Sequence, residues 1–197
     1  MIPTRRKRLS RSQRQAAILR GAATAFATKG FAATSMAEVA AATGITKEIV
    51  YRHFCSKEML YRAVLDHTVQ HLKRELARRS REAQSGIGIR AVLAVGRAQP
   101  DALRLLWVHA VREPAFADCA REVRTCVLNR VMQQRPHPDP LFRRWVAEAT
   151  VSHVWEAVLI WLDLGDPACD EEFVQRCIVG VEALHAAWAA PLGKRCG

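Results

Sequence analysis

A chain of 197 residues, half of them hydrophobic and a quarter charged, has the composition of a folding globular protein with room for one or two domains, which excludes disordered and fibrous classes. The formal net charge of +11 is unevenly placed: residues 1–82 hold 17 Lys and Arg against 6 Asp and Glu, and residues 83–197 hold 13 of each. A basic first part beside a neutral remainder suits docking on a polyanion, with nucleic acid ahead of an anionic membrane.

Apolar residues recur at intervals of three and four, and no segment alternates between apolar and polar, so the expected class is all-α with about nine helices. A basic arm, flexible by its composition, is expected over 1–9. Arg11, Arg14 and Arg20 stand where a twin-arginine export signal at Thr4-Arg5-Arg6 needs its apolar core. Helix 1 starts at Ser10, with Gln13 closing a capping box, buries Ile18, Ala22 and Phe26, and stops at Lys29-Gly30. Helix 2 opens on a second box, Ser35 with Glu38, buries Met36, Val39 and Ala40, and ends near Thr43-Gly44. Thr46 is placed to cap helix 3 and Ser56 to cap helix 4, where Leu60, Val64, Leu72 and Leu76 share a face.

Beyond the interruption at Gly86 and Gly88, Pro100-Asp101 opens a helix with Leu103, Leu106, Trp107, Ala110 and Val111 on one side. Pro114 starts another that reaches about Gln134, and the prolines at 136, 138 and 140 enforce a loop. Helices over about 141–163 and 171–190 complete the chain. The six cysteines (55, 119, 126, 169, 177 and 196) include no C-x-x-C pair and read as reduced thiols, Cys119 and Cys126 sharing a helix face.

Residues 35–54 carry the requirements of a helix-turn-helix: Ala40 is small where the helices cross, Gly44 tolerates the turn, and Val50 anchors the second helix inward. Helix 3 then presents Thr46, Lys47, Ile49 and Arg52 to a major groove, with Tyr51 and His53 toward its edges. Taken alone, an Ala-x-x-x-Gly spacing is also that of any tight helix corner. Here it coincides with the basic part of the chain and with the run from Val50-Tyr51-Arg52-His53-Phe54 through Ser56-Lys57-Glu58-Met59-Leu60.

Between Gln15 and Leu60 the chain resembles the tetracycline-repressor (TetR) family of bacterial transcriptional regulators, through Gly30-Phe31, Thr34-Ser35-Met36, Val39-Ala40, Gly44-Ile45-Thr46 and the run from Val50 to Leu60. The resemblance implies a DNA-binding head over 10–56 and a ligand-binding and dimerising body over 57–197. It also implies a homodimer on a palindromic operator that a small molecule releases. It places Tyr51, His53, Lys57 and Ser35 on phosphates and Thr46, Lys47 and Ile49 over bases. Lys47 is the candidate for guanine, and Glu48 either takes a cytosine amino group or faces solvent. The same resemblance implies a pocket among helices 4 to 7, for which Trp107, His109, Arg112, Phe116 and Cys119 are candidates. Taken singly, each of the five is better accounted for by ordinary packing than by ligand contact.

The helix over 141–163 is apolar nearly all round, and the last helix carries Phe173, Cys177, Ile178, Val181, Leu184 and Trp188. These two helices are the expected dimer interface, the alternative being a thick monomer core. His67 and His71 are four apart, but Lys73 and Arg74 stand beside them and no third ligand is spaced to help, so no metal is expected. No cofactor motif, nucleophile elbow, phosphate loop or carboxylate pair is present, and an enzyme is not expected. No run of about 18 uncharged apolar residues exists to meet a membrane. The expected setting is the bacterial cytoplasm and its nucleoid. The competing readings are an ungated DNA-binding activator or architectural protein and, more remotely, a small-molecule enzyme or carrier on a helical fold.

Overall fold

The computed structural model describes residues 10–82 and 85–190; the basic arm over 1–9 and Cys196 lie outside them. Among the described residues there are nine α-helices and no strand. They are α1 (Arg11–Ala33), α2 (Met36–Thr43), α3 (Lys47–His53), α4 (Lys57–Arg81), α5 (Ile87–Ala98), α6 (Pro100–Arg104), α7 (Ala117–Gln134), α8 (Pro140–Leu164) and α9 (Asp170–Ala189). The chain divides into two compact units, one built from residues up to Val69 together with Asp101–Cys119, the other from Gln70–Pro100 and the residues from Ala120 onward. The division between these units lies inside α4, and a later stretch of chain packs with the first unit.

In the first unit the capping chemistry is as the sequence predicts. The Ser10 hydroxyl accepts the Gln13 N–H, Gln13 returns the bond to the Ser10 N–H, and Ser35 and Glu38 repeat the exchange at α2. Gly30, at φ +78°, breaks the helical path of α1. Just beyond it the Thr34 hydroxyl donates to the Gly30 carbonyl at 2.7 Å. Ser56 caps α4 by accepting the Met59 N–H at 3.1 Å. Thr46 differs from expectation: it stands at the N-cap of α3 but makes no cap hydrogen bond.

Ile18, Ala22, Phe26, Val39, Val50 and Tyr61 fill the core of this unit. Around Tyr61 stand Phe26, Phe31 and Phe116, with ring centroids 4.4–5.1 Å from it, a tilted and edge-on cluster of the kind aromatic quadrupoles favour. The Arg62 guanidinium holds Phe116 in place by donating to the Ala115 carbonyl at 2.8 Å and to Asp118 at 3.0 Å.

The helix opening at Pro100 does not continue as a regular α-helix. After Arg104 it passes through a π turn, Leu105–His109, in which the Ala110 N–H reaches back five residues to the Leu105 carbonyl, and then a 3-10 turn, Ala110–Arg112. The π turn takes up one residue more than a regular turn, so the pattern of threes and fours slips by one beyond it, and Val111, expected on the inner stripe, is 53% exposed.

The second unit contains a helix absent from the expectations drawn from sequence, α5, which buries Ile89, Ala91, Val92, Leu93, Val95 and Gly96. The glycines at 86, 88 and 96 disguise a helix whose tertiary packing outweighs its weak propensity. Ala117, rather than Pro114, begins α7. Pro140 takes the first turn of α8, and the Asp139 carboxylate caps it by accepting the Leu141 N–H at 2.8 Å. Between α5 and α9, Arg97 forks onto Asp170 at 2.7 and 3.1 Å, and the Trp161 indole N–H donates to the same carboxylate.

Candidate nucleic-acid interface and ligand cavity

The turn between α2 and α3 is set by Gly44, which adopts a left-handed conformation (φ +63°, ψ +22°) and donates its N–H back to the end of α2. The crossing of α1 over α2 needs a glycine for a different reason: a Cβ on Gly21 would collide with the Thr43 methyl. Val50, fully buried, then pins α3 by its inner side. What remains on the outside is Thr46, Lys47, Glu48, Tyr51 and Arg52, all exposed, with Ile49 and His53 half-buried.

The Lys47 ammonium lies 5.7 Å from the centre of the Tyr51 ring, a cation–π distance. The Glu48 carboxylate is folded onto the start of its own helix: its backbone N–H, then the Thr46 hydroxyl, hold it below its ordinary 4.5. That arrangement satisfies an orphan N–H at the N-terminus of α3 and leaves less of Glu48 for a base edge. His53 is held below its ordinary 6.5 first by burial and then by the charges of Arg11, Arg14 and Arg52. Those arginines bring the first turn of α1 and the last turn of α3 into one basic patch. Arg11 and Arg14 had no part in the interface expected from sequence; their signal was the charge density ahead of the helix-turn-helix.

Lys57 is oriented differently from a free phosphate ligand. Its ammonium donates to the Phe31 and Ala32 carbonyls at 2.8 and 3.1 Å and lies 4.5 Å from the centre of the Phe31 ring. It thereby satisfies carbonyls left open where α1 ends. Ser35 is exposed, and its oxygen is committed to the Glu38 N–H. Glu38 itself also pairs with Lys29, whose ammonium, ahead of the Ser35 backbone N–H, pulls its carboxyl down to about 2.

A cavity of about 830 Å³ lies within the second unit, a size suited to a small-molecule ligand. Leu72, Val92, Val151, Val154, Trp155 and Val181 give it apolar walls. Thr150 and His185 meet in the lining at 2.7 Å. Since the Thr150 hydroxyl already donates to the Val146 carbonyl, it accepts from His185 Nε2–H. Burial first, and then Arg135, hold the imidazole below its ordinary value, with Glu182 opposing.

None of the five pocket residues expected from sequence lines this cavity. All five belong to the first unit, where Phe116 is buried in the aromatic cluster and the buried Cys119 thiol receives an N–H of Arg62 at 3.5 Å. Trp107 and His109 are half-buried in the π turn, and Arg112 is exposed. Aromatic residues at helical spacing report burial, and burial alone does not separate a packed cluster from the wall of a cavity. No group of three or more His, Cys, Asp or Glu suited to a metal ion occurs among the described residues, and no described helix is long and apolar enough to cross a membrane.

Residues 18–64 match the model of bacterial regulatory proteins of the tetR family. The chain is 40% identical over 68 residues to the HTH-type transcriptional activator FasR of Mycolicibacterium smegmatis, covering 34% of this chain and 31% of that one. It is 39% identical over 102 residues to an HTH-type transcriptional repressor of Mycobacterium tuberculosis, covering 52% of this chain and 50% of that one. The matches thus span a third to a half of these relatives' lengths. Among solved structures, a TetR-like transcriptional regulator from Rhodococcus sp. RHA1 superposes with a TM-score of 0.74 at 19% identity, over 91% of this chain and 99% of that one. AibR, solved in complex with isovaleryl coenzyme A and operator DNA, gives 0.61 at 20% identity, over 84% and 96%. At such identities the likeness is one of fold, and it extends the architecture of these regulators over most of the chain. Residues 18–64 thus carry the segment that is shared with the tetR family of bacterial regulatory proteins.

Proposed function

We propose that this protein is a ligand-responsive transcriptional regulator, a homodimer that sets α3 of each copy into the major groove of a palindromic operator and leaves the DNA when a small molecule fills the cavity of the second unit. The observation that carries the reading is the two-sidedness of α3: Val50 is wholly buried, while the opposite side exposes Thr46, Lys47, Tyr51 and Arg52 beside Arg11, Arg14 and His53. Arg52 and Lys47 lead in the groove, Tyr51, His53 and Ser35 stand toward phosphates, and Thr46 and Ile49 approach base edges. Lys57 has two of its three ammonium protons committed within the protein and serves first to hold the end of α1. One recognition helix reads one half-site, so a second copy about 34 Å away is needed for an operator of useful specificity. Repression is favoured over activation by the longer of the two relatives' matches.

Selection of bound sequences from random duplex DNA, followed by footprinting, tests this reading. A defined palindrome protected on both half-sites supports it. Broad, salt-labile coverage with no preferred site would overturn it in favour of an architectural role, and catalytic turnover without DNA affinity would favour an enzyme.

A further inference from the structure

We propose that the ligand of the second-unit cavity is an amphipathic anion, an aliphatic body carrying a carboxylate or phosphate head, with Arg130 and Arg135 as the groups that hold the head. The inference rests on the reading of this cavity as the effector site and adds to it the chemistry of the effector. The lining grades from buried aliphatic positions, Leu72, Val92 and Val151, to partly or fully exposed polar ones at the end of α7. An apolar body is thereby drawn inward, and any polar head is left among the charges of the outer lining.

The balance of those charges selects the sign of the head. Four charged residues line the cavity: Lys73, Arg130, Arg135 and Glu182. Lys73 is neutralised by Glu122, at 2.9 Å. Arg130 donates to the Ser80 hydroxyl at 3.0 Å, and among the described residues it has no carboxylate partner; nor has Arg135. Glu182 is the single acidic group of the lining and forms no ion pair with either arginine, although it and Arg135 both act on His185. His185 is biased toward its neutral form and spends Nε2–H on Thr150, so it adds no strong charge of its own. Two guanidiniums without acidic partners at the lining of an apolar cavity match a carboxylate or phosphate, which each can take in a forked, two-bond geometry. A cationic amphiphile would find one carboxylate against two arginines, and a neutral one would leave both guanidiniums unused.

The test uses the full chain and three ligands that share one hydrocarbon body: dodecanoate, dodecanol and dodecyltrimethylammonium. Each is titrated below its micelle concentration by calorimetry and by the fluorescence of tryptophan, Trp155 being part of the lining. Dodecanoate is expected to bind saturably and at least about tenfold tighter than the other two, the size of one charge-assisted hydrogen bond. R130Q and R135Q should each weaken dodecanoate by about tenfold and leave dodecanol unchanged; Arg135 is exposed, so R135Q tests the head group without disturbing the core. Equal affinity for all three, preference for the cation, no binding by any of them, or indifference to both substitutions would overturn the inference. Dodecyl phosphate in a parallel titration separates the two head groups, and tighter binding of either supports the shared anionic chemistry. DNA affinity is measured separately: its absence would remove the regulatory reading while leaving the charge preference standing.

Discussion

Lys57 and Arg52 stand five residues apart in one short head and have different occupations, which mutation should separate. Lys57 closes the end of α1 by bonding to the Phe31 and Ala32 carbonyls, so Lys57→Ala should lower the stability of the head by about 1–2 kcal/mol, read as a lower melting temperature. Arg52, exposed on the outer side of α3, should behave in the opposite way. Arg52→Ala should leave melting unchanged and relax the preference for one operator base by about 1–3 kcal/mol, read by comparing affinities for operators altered at single positions. A flattened dependence of log affinity on log salt in the Lys57 variant with unchanged melting would return Lys57 to the DNA. His53 adds a dependence on pH. In the free protein, burial and the neighbouring arginines keep it neutral to lower pH than an ordinary histidine, whereas a phosphate within reach favours the imidazolium. Binding therefore takes up a proton, and operator affinity should rise as the pH falls toward and below 6.5. His53→Gln should abolish that rise in an anisotropy titration, and a pH-independent affinity in the parent protein would remove His53 from the interface.

At the scale of elements, the sequence is most readable where one residue does one local job. The capping boxes at Ser10 and Ser35, the turn at Gly44 and the cap at Ser56 are all decided within three or four residues, and the structure has each of them, whereas the stop expected at Gly30 is a break within a helix that runs on to Ala33. At Gly44 a side chain would meet nothing within 4 Å, so the constraint is the backbone alone. Gly44→Ala should therefore cost about 1 kcal/mol through its left-handed conformation, reported as a shift in the denaturation midpoint without loss of helical signal. What was not legible depends on partners distant in sequence. The glycines of α5 hide a helix that exists because α8 and α9 cover it. The π turn has no signature in a pattern of threes and fours. Phe116 and Cys119 carry the marks of pocket residues, but their surroundings in the first unit, Tyr61, Phe31 and Arg62, could not be read from their own segment. The cavity is assembled from α4, α5, α7, α8 and α9, and no single stretch announces it.

At the scale of the whole molecule, α8 and α9 leave apolar side chains facing solvent: Trp145, Ile160, Leu164 and Val179 are 48–82% exposed. Large apolar residues on adjoining helices mark a surface that a second copy would cover, which also supplies the second recognition helix. Sedimentation equilibrium should show a dimer at micromolar concentration. Ile160→Glu with Val179→Lys should give a monomer with intact helical content and an operator affinity reduced by at least about a hundredfold, since one half-site is then lost. A parent protein that sediments as a monomer would remove the dimer.

The π turn at Leu105–His109 also bears on the history of the chain. A turn closed over five residues instead of four holds one residue more than a regular helix of the same length. A helix that takes in one residue by bulging in this way keeps the segment beyond the bulge in its place. Relatives without the bulge should align to this chain with a one-residue gap between Leu105 and His109. Deleting one residue of the bulge, such as Val108, should therefore restore a regular turn and leave Ala110 at the buried position it now holds.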